Sequence, residues 1–309
     1  MKASVVFHSD IPLADLGGGV SRRVLAYSPN LMTVEVNFEK GGVGSVHTHP
    51  HCQNTYVRAG RFRFNVDGES VSEISLDKAR EVREKLEDAG LVAWSIGSPI
   101  GKIDIVKDDF AAHLDTLCHT VEVAHVLGAE NIRMFSFYYP EGEDPAIYRD
   151  EVMERLGRMA EVCRGSGVQL CHENEKGIYG DIAARCLDIH RSVPALAGVF
   201  DPANFIQCGQ DTAEAWAMLK PFIKYMHVKD ALADGTVVPA GRGIGHVGAI
   251  VRDFLEGGGV ALTLEPHLRV FGGLERLQRD AHLDSDAYPS GDAAFDAAAA
   301  ALRDILRED

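Results

Sequence analysis

The sequence predicts an α/β protein built on a barrel of parallel strands and preceded by a shorter antiparallel β segment. Three observations carry that expectation. From about residue 75 onward, amphipathic helical stretches alternate with short apolar runs. The apolar runs lack the polar alternation of half-exposed strands, which is the pattern of strands covered on both faces. Before about residue 72 the chain shows alternating or β-rich runs separated by glycine-rich breaks.

In chain order, the first region holds LMTVEVNF and YVRAGRFRFNV. Asp67-Gly68 lies between FRFNV and ESVSEI, a strong signal for a two-residue hairpin. The boundary falls near Ser70 to Ser75 with no Pro- or Ser-rich linker, giving segments 1–72 and 73–309. SLDKAREVREKLEDAG then reads as a helix with Ser75 as its N-cap and Gly90 as its stop, leading to LVAWSIGSP. DFAAHLDTLCHTVEVAHVLGA leads to NIRMFSF, and YRDEVMERLGRMAEVCRGSG leads to VQLCHEN. DIAARCLDIHRSV, DTAEAWAMLKPF and HVGAIVRDFLEGGG precede LAGVFDPANF, IKYMHVKD and VALTLEPH. Six strands, each preceded by a helix, favour a barrel over an open sheet. GDAAFDAAAAALRDILRED closes the chain as an amphipathic helix, too short to span a bilayer.

A chain of 309 residues buries a sizeable core, as one large domain or a large domain with a small appendage. With 31 basic and 46 acidic residues, the net charge of -15 speaks against nucleic acid or an anionic membrane and for a small polar metabolite. The 6 cysteines form no CxxC pair, and MKASVVFHSDIP has no apolar core of signal-peptide length. A cytoplasmic protein with reduced thiols is expected.

Glu173, Asp201, His227 and Glu265 each close one of the apolar runs. Neighbouring parallel strands bring those ends to one face, the face that carries the active site in barrel enzymes. Carboxylates crowded there have raised pKa values unless a cation compensates them. The economical compensation is a divalent metal, Mn or Mg first, with Zn or Co as alternatives, held by three carboxylates and an imidazole. Taken singly, each residue also reads as a cap or turn; Asp201 before Pro202 starts a turn. Beyond the four, Glu175 and Lys229 are placed near substrate hydroxyls, and Asn204, one helical turn past Asp201, near the substrate or the ligands. Arg242 lies in PAGRGIGHVG, whose glycines suit a loop close to a bound anion. Strand alternation points His172 and Asp230 away from the mouth. Lys102, in GSPIGK, carries no defined motif.

HENEKGIYGD, FDPANF, YMHVKDA and TLEPHL resemble the strand-end motifs of the xylose isomerase-like barrels, the sugar phosphate isomerase/epimerase superfamily. That group includes ketose 3-epimerases, hydroxypyruvate isomerases, inosose dehydratases and endonuclease IV. The resemblance implies a TIM-type barrel over about 73–309 in which Glu173, Asp201, His227 and Glu265 ligate one divalent ion. It further implies that Glu173 and Glu265 act as the acid/base pair around an enediolate of a small sugar, keto-sugar or polyol acid. A dehydratase would use the same ligands. An endonuclease IV-type hydrolase needs additional histidines, and a non-catalytic truncated fusion product is the remaining alternative.

GGVGSVHTHPHCQNTYVRAG resembles the first motif of cupins, with His47, His49 and Gln53 as a second candidate metal site. No second cupin half follows. Barrels of the resembled family begin with a strand, a helix and a second strand, so this chain is expected to lack the first strand-helix unit. FRFNV or ESVSEI is expected to stand in beside LVAWSIG, and a homo-oligomer is a further way to cover the open strand edges.

Overall fold

Side-chain caps set where the helices begin. In the computed structural model, which describes residues 11–28, 31–40, 42, 65–66, 69–70, 74–269 and 288–307, Ser75 Oγ accepts from the Lys78 amide at 3.2 Å. Asp109 accepts from the Ala111 and Ala112 amides at 2.8 and 3.3 Å. These contacts satisfy amides that the first helical turn leaves without partners. The chain divides into two compact units, Met1–Arg63 and Phe64–Asp309.

In the first unit, β1 (Ala14–Gly17), β2 (Val20–Ser28) and β3 (Leu31–Phe38) form an antiparallel sheet in that order. This is the antiparallel character expected of the region, and β3 is the LMTVEVNF run. His47, His49 and Gln53 lie outside the described residues.

The second unit starts with β4 (Asn65–Val66) and β5 (Glu69–Ser70), paired antiparallel across the two positions that carry the hairpin signal. Among the described residues these strands pair only with each other. The described parts of FRFNV and ESVSEI therefore do not pair with LVAWSIG, and the rest of both segments lies outside the described residues.

Then follow α1 (Leu76–Asp88), β6 (Ser95–Gly97), α2 (Phe110–Leu127), β7 (Asn131–Met134), α3 (Arg149–Cys163) and β8 (Gln169–Glu173). After these come α4 (Ala183–Ser192), β9 (Ala197–Phe200), α5 (Pro202–Gln207), α6 (Thr212–Leu219) and β10 (Ile223–Val228). The chain finishes with β11 (Asp230–Ala231), β12 (Val237–Val238), α7 (Val247–Glu256), β13 (Leu262–Leu264) and α8 (Gly291–Ile305). The six expected strands form one parallel sheet in the order β6-β7-β8-β9-β10-β13, a half-barrel whose edge strands are β6 and β13. Its curl brings β6 and β7 across from β10 and β13. The Ser95 and Tyr225 hydroxyls meet at 3.2 Å, and the Trp94 and Tyr225 rings pack edge to face.

Strand alternation sorts the side chains. Ile132, Met134 and Leu170 point outward, packed with Leu117 and Val121 of α2 and Leu156 and Met159 of α3. Phe200, Met226 and Val228 pack with Trp216 of α6 and Ile250 and Phe254 of α7. Each such side chain stabilises the fold by roughly 1.5–3 kcal/mol. The intervening residues Cys171, Val199 and Tyr225 cluster on the inner side with Trp94. The C-terminal helix docks as expected, through Ala294, Ala298 and Ile305. Among the described residues no helix is long and apolar enough to cross a membrane.

Candidate metal centre

The alternation that puts Cys171, Val199 and Tyr225 inside places the next inward residues, two positions on, at Glu173, Asp201 and His227. Glu265 directly follows β13 and completes the group. Each of the four offers one ligand atom, and these atoms lie within 4.8 Å of one another. Glu173, Asp201 and His227 are buried, whereas the Glu265 side chain keeps 24% of its exposure and forms the open side.

His227 Nδ1 is the hub, 3.0 Å from Glu173 Oε1, 3.1 Å from Glu265 Oε2 and 3.8 Å from Asp201 Oδ2. Burial opposes charge on this imidazole, but the Glu173 and Glu265 carboxylates outweigh it and raise its pKa well above the usual value. Burial would raise Glu173, yet His227 and Arg133 pull it down to about 2. Glu265 is likewise held well below the usual range, against burial, by His227 and Arg133. Arg133 Nη1 bridges Glu173 Oε2 at 3.3 Å and Glu265 Oε1 at 3.0 Å. Lys229 Nζ lies 2.7 Å from Asp201 Oδ2, which keeps its pKa raised despite complete burial.

Asp201 works on two sides. Its Oδ1 caps α5 by accepting from the Asn204 amide at 2.9 Å, and its Oδ2 faces the cluster. The turn-and-cap reading of this residue holds at Oδ1, and Oδ2 is left facing the cluster, where the ligand reading needs it. Asn174 fixes the Asp201 backbone through bonds of 2.9 and 3.0 Å, and Asn204 Nδ2 reaches Glu173 Oε1 at 3.3 Å.

The residues fit a hard divalent cation. Three carboxylates and an imidazole are the donor set such an ion takes. Glu173 Oε2 and Asp201 Oδ2 are also shielded from solvent without a well-formed hydrogen bond.

Of the other residues singled out in the sequence, Glu175, Asn204 and Lys229 are buried around the four. The Glu175 carboxyl is pushed up to about 7 by burial, with Lys102, 2.6 Å away, opposing the rise. Arg242 is exposed, and its side chain makes no ion pair with the cluster among the described residues. The glycines around it do hold an anion, the chain's own Asp230. That carboxylate accepts from the Gly241, Gly243 and Gly245 amides at 2.9 to 3.0 Å. His172 points outward to Ser136 Oγ at 3.0 Å. Sequence reasoning passed over Arg133 and Asn174 and set Lys102 aside as carrying no motif. A charged residue inside the apolar run NIRMFSF was the available signal for Arg133; Lys102 had none, because its partner lies 73 positions away.

A family profile described as xylose isomerase-like TIM barrel matches residues 56–282. Solved structures with a similar fold include the probable 3-DHS dehydratase AsbF involved in petrobactin synthesis from Bacillus anthracis, with TM-score 0.58, 16% identity, 75% of this chain and 83% of that one. A xylose isomerase-like TIM barrel protein from Mycobacterium smegmatis in complex with magnesium gives TM-score 0.57 at 18% identity, over 76% of this chain and 80% of that one. A D-psicose 3-epimerase in the presence of D-fructose gives TM-score 0.57 at 18% identity, over 75% and 84%. The pectin degradation protein KdgF of Dickeya dadantii (strain 3937) is 41% identical over 61 residues, 19% of this chain, and the match spans only 56% of that relative's length.

Proposed function

The chain belongs to the xylose isomerase-like TIM barrel family, and from that premise we propose that it is a divalent-metal-dependent isomerase or epimerase of a small sugar, keto-sugar or polyol acid. The observation that supports this most is the placement of Glu173 and Glu265. They come from β8 and from the end of β13, yet both stand within 3.1 Å of the same His227 nitrogen. A divalent ion held by Glu173, Asp201, His227 and Glu265 would supply Lewis acidity at a substrate carbonyl and its neighbouring hydroxyl.

The chain's own residues then divide the work. One glutamate takes the proton from the hydroxyl-bearing carbon next to the carbonyl, and the C–H electron pair forms the C=C bond of an enediolate while the carbonyl π pair moves onto its oxygen. The other glutamate, or the same one, returns the proton to the neighbouring carbon for an isomer or to the opposite face for an epimer. Arg133 holds both carboxylates in place. Glu175, Asn204 and Lys229 are assigned to the substrate's hydroxyls.

Incubating the metal-loaded protein in D2O with a panel of ketoses and hydroxy acids tests the reading by C–H exchange. Glu173→Gln and Glu265→Gln are each expected to lower exchange by about 100-fold or more. Absence of exchange across the panel, with metal bound, rejects it. A product lighter by one water would identify a dehydratase acting through the same enediolate.

A further inference from the structure

We propose that the substrate carries one negative charge, a carboxylate received by Arg133, so that the site acts on sugar acids in preference to neutral sugars. This rests on the metal-site part of the reading above. The argument is charge balance in a buried space. Glu175 and Lys102 form a close pair, their ends 2.6 Å apart and both side chains less than a tenth exposed, and the two charges of a bound ion favour the ionised carboxylate that cancels Lys102. The Asp230 charge is spread over the Ala231, Gly241, Gly243 and Gly245 amides. His227 is neutral as a ligand. What remains is three carboxylates, Glu173, Asp201 and Glu265, against Arg133, Lys229 and the two charges of the ion. One positive charge is left over, among residues 8% (Arg133) and 1% (Lys229) exposed.

A buried surplus charge is costly, and a monoanionic ligand removes it. Proton transfer from carbon to a glutamate leaves the total unchanged, so the chemistry itself does not supply the missing anion. Geometry assigns the receiver. Arg133 spends Nη1 on both Glu173 and Glu265, and its Nε is buried with no hydrogen-bond partner. Arg133, His227 and Glu265 line a cleft of about 230 Å³ together with Trp94 and Tyr225. That volume is below the range of drug-sized ligands and suits a single monosaccharide.

Calorimetric titration of the magnesium-loaded protein with galacturonate and galactose, and with glucuronate and glucose, tests this, since each pair differs only in the carboxylate. The uronates are expected to bind about tenfold tighter or more. Arg133→Gln, checked for retained metal, should bring the ratio close to unity. Equal affinity within both pairs in the unaltered protein overturns the proposal, whether or not the variant folds. A preference that survives Arg133→Gln with metal retained assigns the carboxylate to the ion and overturns the role of Arg133. Uronate-selective binding without C–H exchange would refute the isomerase reading and leave this one standing; exchange on neutral ketoses without uronate preference would do the reverse.

Discussion

His227 shows how one side chain changes role with its surroundings. Facing Glu173 and Glu265 it holds a proton, because two carboxylates within 3.1 Å overcome the penalty of burial. A metal ligand must give that proton up. Its pKa is raised above the usual value, so binding a divalent ion at neutral pH should release about one proton. The apparent affinity should rise with pH, approaching tenfold per unit for as long as His227 stays protonated in the metal-free protein. Manganese titrations in buffers of different ionisation enthalpy measure both quantities, and His227→Gln should lose the dependence together with most of the affinity. The four candidate ligands were legible because each stands where an apolar run stops. Arg133 was not, since its meaning depends on Glu265, 132 positions away.

The loops that follow β6 and β7 are stitched together as one element. Phe135 donates to the Ile100 carbonyl at 2.8 Å, Phe137 to that of Gly101 at 3.0 Å, and Tyr138 to that of Ile103 at 2.9 Å. Gly101 has φ +87°, and a Cβ there would lie 2.0 Å from the Phe135 oxygen. Phe137 itself sits at φ 67°, a left-handed position costly for an aromatic residue. This clamp carries Lys102 to Glu175. Gly101→Ala is expected to destabilise the protein by about 2–4 kcal/mol, read by urea denaturation, because both the dihedral and the contact with backbone are refused. The helix and strand of each unit could be read from periodicity, whereas GSPIGK could not, for its bonds run to a loop that the sequence does not mark as its neighbour.

At the scale of the molecule, buried neutral histidines set a pH limit. Burial lowers His172 to about 3, and it lowers His190 and His267 to about 4. An unfolded chain protonates these rings near pH 6.5, the folded one only well below that, so stability is lost as pH falls from about 6.5 toward 4. His227 does not contribute in this window, since its raised pKa leaves it protonated in both states. The low carboxylates Glu173 and Glu265 act only below about 4.5, and Glu175, pushed up to about 7, gains stability as pH falls through this window and offsets about one histidine. Each fully buried histidine accounts for about 2 kcal/mol between pH 6.5 and pH 5. Denaturant titrations at pH 7 and pH 5 should show that loss, and His190→Gln, which removes a ring stacked on Phe222 at 5.1 Å, should reduce the slope while lowering stability at both pH values.

The order of helices and parallel strands, the antiparallel character of the first unit, and the four candidate ligands were determined by the sequence alone. All of these rest on local periodicity and on what stands at the end of each run. Tertiary structure decided the rest. Among the described residues it paired β4 with β5, turned the glycine loop onto Asp230 rather than onto a ligand, and set Arg133 and Lys102 against carboxylates far away in the chain. The physical reason is the same in each case. A strand or helix announces itself through its own neighbours in sequence, but a charge takes its meaning from whatever the curl of the sheet brings within about 4 Å of it.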